Sequence, residues 1–138
     1  GRNRRRWEKL RSTQVRLRYG RFLARAPLRG LEGEVGLPAS PPTEEIVFQL
    51  YRQGRPLGYR CFRAGEPDAP DLPGGLMVAA NHNGLEADPD WSGVAAEQAL
   101  AGVEQAVREV LPALYGSLPE EHPLGQAYLE AYRAWRTT

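Results

Sequence analysis

The sequence predicts an α+β fold: a basic N-terminal arm, an antiparallel sheet of about four strands, and two C-terminal helices packed on one face. Three observations point there. Apolar residues alternate at period two along the first part of the chain, and they recur at spacings of three and four beyond Trp91. All the strand patterns precede the helical ones, an order that gathers the helices on one side of an antiparallel sheet. At 138 residues the chain has a one-domain length. The expected division is a basic arm, residues 1–13, and a single α+β domain, residues 14–138.

The arm contains RNRRRWEKLR, residues 2–11, where five arginines and Lys9 stand against one acid, Glu8. Trp7 and Leu10 fall on one side of a short helix, but isolated helices need about 12 to 15 residues. This one requires a partner to be ordered. Residues 14–19, QVRLRY, alternate Val15, Leu17 and Tyr19 with Arg16 and Arg18, which predicts a strand with one apolar and one basic face. Gly20 interrupts, and RFLARA continues that strand past a bulge.

Residues 27–43 hold four prolines and three glycines and read as a connecting loop, with a brief extended piece at 31–35. Residues 44–65 give two β-rich runs, 45–52 and 57–63, separated by turn residues, hence a hairpin. EPDAPDLPGG, residues 66–75, is an exposed loop. LMVAA, residues 76–80, is a short unbroken apolar run suited to a central strand. Asn83-Gly84 then makes a tight turn.

Ser92 caps a helix whose apolar positions include Val94, Leu100, Val103, Val107, Val110, Leu111 and Leu114, with Pro112 ending or kinking it near Leu111. A second helix follows, with Ser117 and Glu120 as a capping box and Pro123 in the first turn. Its stripe is Leu124, Tyr128, Ala131 and Trp135. Tyr128, Tyr132 and Trp135 are expected in the core, with a protein interface as the lesser alternative.

The net charge of +1 conceals a split. Residues 1–30 hold eleven basic side chains against Glu8, and residues 31–138 hold seven against sixteen acids. Lys9 is the only lysine, a bias that the codon usage of a GC-rich genome is enough to explain. The outcome is guanidinium groups, which make bidentate contacts with phosphate or carboxylate.

That cluster predicts a non-enzymatic nucleic-acid-binding protein, for DNA or RNA. Phosphate contact falls to Arg2, Arg4, Arg5, Arg6, Lys9, Arg11, Arg16, Arg18 and Arg21, and Trp7 stacks on bases. The competing reading is an assembly module whose arm docks an acidic protein partner or a sister subunit in a homo-oligomer. A third is a solvated or membrane-proximal tail. Cross-strand pairing of Arg16 and Arg18 with Glu44 or Glu45 would use these arginines internally.

Other chemistry is weakly represented. Cys61 is the sole cysteine, so an intrachain disulfide is impossible and a cytoplasmic setting is expected. It sits in a strand run with no histidine nearby, and is expected to be a small buried hydrophobe, not a nucleophile. His82 and His122, the only histidines, lack metal-ligand spacing. Glu86, Asp88 and Asp90 read as solvated loop acids, with a metal-dependent nuclease as the remaining enzymatic option. No phosphate loop, dinucleotide fingerprint or nucleophile elbow occurs, so no catalytic residue, metal or cofactor is expected. There is no apolar run of roughly 18 residues to span a membrane and no export signal pattern. The chain opens at Gly1 with no methionine, consistent with processing or with removal of an upstream piece such as a membrane anchor.

Overall fold

The computed structural model describes residues 15–17, 20–81 and 94–137, without the side chains of 94–97. The arm, the expected Asn83-Gly84 turn and the Ser92 cap lie outside the described residues. Five strands and two helices follow one another: β1 (Phe22–Pro27), β2 (Glu32–Pro38), β3 (Glu45–Arg52), β4 (Arg55–Arg63), β5 (Met77–Asn81), α1 (Val94–Gly116) and α2 (Pro123–Thr137). The architecture is α+β, as expected, with one sheet in the order β1-β2-β5-β3-β4.

The sheet is mixed, not wholly antiparallel, and has five strands where about four were expected. β1–β2, β2–β5 and β3–β4 pair antiparallel, whereas β3 and β5 run parallel. The cause is the connection at residues 64–76. β4 has already brought the chain back to the starting end of β3, and this connection keeps it there while crossing to the other side of β3, as a parallel neighbour requires.

β2 corrects the loop expected at residues 27–43: the extended piece expected at 31–35 is the first part of a full strand that runs to Pro38. Its glycines look like linker residues but serve close approach. Gly33 has φ +148, and a Cβ there would run into the Ala79 carbonyl oxygen. A Cβ at Gly36 would stand 2.7 Å from the Phe22 ring and 2.8 Å from the Leu17 side chain. The expected strand at residues 14–19 is also corrected in its described part. Val15–Leu17 is bent and joins no ladder, and the first strand is β1, beyond Gly20.

The β3–β4 hairpin is as expected. Gln53 and Gly54 have φ 52 and 77, positive at both central positions, as in the type I′ turn that matches strand twist. Gly54 N donates to Asn81 Oδ1 at 2.9 Å, tying the turn to the end of β5.

Pro112 does not end α1, which continues to Gly116. The residue is exposed, on the water side, where the carbonyl deprived of its partner can be hydrated. Ser117 closes α1 and does not cap α2: its Oγ donates to the Leu114 carbonyl at 2.8 Å. The N-cap of α2 is His122, whose Nδ1 accepts from Leu124 N at 3.1 Å while its carbonyl accepts from Gln126 N at 3.0 Å. Pro123 takes the first helical position, as expected.

The main core lies between the helices and one sheet face. Val35, Leu37, Ile46, Phe48, Leu50, Val78 and Ala80 are buried there with Val103, Val107, Leu111 and Leu114 of α1 and Tyr128 of α2. Tyr132 and Trp135 pack against it, so the aromatic stripe of α2 belongs largely to the core, as expected. The opposite sheet face carries a smaller cluster of Val15, Leu17, Tyr51 and Ala79, flanked by Phe22 and Met77.

Candidate nucleic-acid interface

Arg2, Arg4, Arg5, Arg6, Trp7, Lys9, Arg11 and Arg18 lie outside the described residues. Arg16 and Arg21 are described, and both are exposed. The sequence pattern put Val15 and Leu17 inward and Arg16 outward, and that alternation holds even though the backbone forms no strand. What fixes the segment is a set of contacts from the sheet. Tyr51 Oη donates to the Arg16 carbonyl at 3.4 Å, and Leu17 N donates to Glu34 Oε1 at 3.3 Å. Arg25 Nη2 reaches the Leu17 carbonyl at 3.3 Å.

Arg25 is therefore engaged internally. Its Nε donates to Glu34 Oε1 at 2.8 Å, its Nη2 bonds the same oxygen, and its guanidinium lies 5.0 Å from the Phe22 ring centre. One carboxylate oxygen thus holds both Arg25 and the backbone of Leu17. The acids expected to serve such a role were Glu44 and Glu45. Glu44 instead pairs with Arg63 at 2.8 Å, and that hydrogen bond holds the Arg63 guanidinium above its ordinary pKa.

Strand directions sort the remaining charge. β1, β3 and β5 run one way, β2 and β4 the other. Among the described residues of the sheet and its turns, the end where β3 and β5 finish carries Arg29, Arg52 and Arg55, with Glu32 the single acid. The opposite end carries Glu44, Glu45, Glu66, Asp68 and Asp71, with Arg21 and Arg63. Sequence reasoning missed the basic end because its arginines lie in or beside two separate turns, 28–31 and 53–54. Only the β2–β5–β3 order puts those turns at the same end.

No family model, curated protein or solved structure matches this chain. Its chemistry must be read from its own residues. Cys61 corrects an expectation: it lies in β4, but it is exposed and not buried. Among the described residues no group of three or more His, Cys, Asp or Glu side chains is placed to hold a metal ion. Among them, too, no helix is long and apolar enough to cross a membrane. His82, Glu86, Asp88 and Asp90 lie outside the described residues.

Proposed function

We propose that the protein binds nucleic acid without catalysing a reaction on it, through its arginine-rich arm and the residues that follow. The observation that carries this reading is the excess of eleven basic side chains over one acid in residues 1–30. Of the four arginines described there, Arg16, Arg21 and Arg29 are exposed, while Glu34 engages Arg25. Arg16 extends from a backbone already held on the sheet by Tyr51 and Glu34. Its phosphate contact therefore needs less ordering than one from a free tail.

Phosphate neutralisation releases counterions, so affinity falls with salt at a logarithmic slope of about −0.9 per phosphate contacted. Fluorescence polarisation with single- and double-stranded oligonucleotides at low salt is the test. Binding should weaken steeply with salt and drop when Arg4, Arg5 and Arg6 become alanine, with a smaller loss for Trp7→Ala or Arg16→Ala. An oligonucleotide that shows no change in polarisation at low salt overturns the reading.

A second reading, an assembly module whose arm grips an acidic neighbour or a sister subunit, is favoured by one observation. The acids gather at one end of the sheet, where they form a surface that an arginine-rich segment complements.

A further inference from the structure

The connection at residues 64–76 and α2 enclose a groove of about 700 Å³, within the range of ligand clefts. Its character is unusual for a surface so acidic. Ala131, Ala134 and the partly buried Trp135 give it an apolar wall from α2, and Glu44, Glu66 and Asp71 line it with carboxylates. The wall is fixed, because Trp135 Nε1 donates to Asp71 Oδ1 at 3.0 Å. Apolar surface for a long aliphatic stem, an indole and carboxylates for a cationic head together match one side chain above others, arginine.

The acids are not saturated. Glu66 has no ion-pair partner among the described residues, and Asp71 meets Arg108 only at 3.8 Å. The Glu44–Arg63 pair has side chains 72% and 68% exposed, so exchanging Arg63 for another guanidinium costs little. The complement is present in the same polypeptide: residues 2–11 hold six basic side chains and one acid.

We infer that this groove is the docking site for the arginine-rich arm, residues 2–11, of a second copy of the chain. This rests on the assembly reading above and names its receptor. An arm seated in a neighbour's groove joins two different surfaces, so reciprocal exchange closes a dimer and one-way exchange continues to further copies; either way association grows with concentration.

Charge exchange tests it. Sedimentation velocity at low salt should show the mass of the full chain rising with concentration to twofold or more. Glu44→Arg with Glu66→Arg should give a monomer, as should Arg4→Glu, Arg5→Glu and Arg6→Glu together. All these groove substitutions are at exposed sites, and circular dichroism checks that each variant folds. Mixing the two variants should restore association, because the intact arm of one meets the intact groove of the other. A mixture that stays monomeric overturns the inference. Association lost on arm reversal but kept on groove reversal overturns the groove and leaves the assembly reading standing. A wild-type chain that is monomeric at every concentration overturns the inference and, with it, the sister-subunit form of the assembly reading.

Discussion

Along β3, Ile46, Phe48 and Leu50 are wholly buried against the helices, whereas on the opposite face Tyr51, one residue over, is buried in a smaller cluster with Val15, Leu17 and Ala79, flanked by Phe22 and Met77. The first face is closed by two helices with interlocking aliphatic side chains. The second is closed near β2 and β5 and open toward β4, where Tyr59 is 58% exposed and Cys61 is exposed. Among the described residues each face also buries one polar group that finds no hydrogen-bond partner there. On the helical side it is the Tyr115 hydroxyl, and on the other both amide atoms of Gln49. The same strand therefore serves a dry core and a surface built to hold a peptide segment in place.

Core truncation should separate the faces most. Phe48→Ala should cost about 3–5 kcal/mol in urea denaturation, because α1 and the sheet cannot collapse into the space. Leu17→Ala should cost about 2 kcal/mol, since its short segment can move inward to fill part of the gap. Equal losses would erase the distinction between the faces. Gln49→Leu should stabilise by about 1–2 kcal/mol, removing a buried amide that no described group satisfies. A destabilised variant would mean that the amide is satisfied after all.

Glu34→Gln should cost on the order of 1 kcal/mol, since it weakens the oxygen that holds Arg25 and Leu17. It should also lessen the effect of a later Leu17→Ala, a non-additivity that a double-mutant cycle reads directly. The smallest effect at neutral pH belongs to Tyr115→Phe, which should be neutral or stabilising by less than about 1 kcal/mol. Its signature is alkaline. Burial pushes the Tyr115 phenol well above its ordinary 10.0 and raises that of Tyr128 too. Above that pH the unfolded chain releases protons that the folded protein keeps, so stability must fall as pH climbs through it. Tyr115→Phe should flatten that decline, measured as melting temperature against pH.

The strands with a clean apolar pattern were legible in the sequence. β3 and β4 alternate cleanly around a short turn, and β5 is an unbroken apolar run. β2 was legible only as a brief extended piece at 31–35, because Gly33 and Gly36 lower its apparent propensity while making its packing against Ala79 and Leu17 possible. Residues 15–17 teach the converse. Their alternation foretold which side chains are buried but not that the backbone joins no ladder, since burial here comes from lying across a sheet. Cys61 was expected inside because its strand is β-rich, yet β4 is an edge strand whose one face is open. For the candidate interface, the excess of arginine was visible at once. The engagement of Arg25 by Glu34 was not, because it depends on β1 and β2 being partners.

The position of β5 also bears on the order of events when the chain folds. β1–β2 and β3–β4 are two ribbons that share no ladder with each other, and each can zip from its own turn. β5 joins them: Ala79 pairs with Glu34 on one side and with Gln49 on the other. Those pairings close long loops, which costs chain entropy before any contact forms, so its arrival should be the slow step. A slip of one residue in β5 would turn Val78 and Ala80 outward and leave the halves unjoined. In kinetic terms the molecule should behave as two quick hairpins waiting on a single five-residue latch.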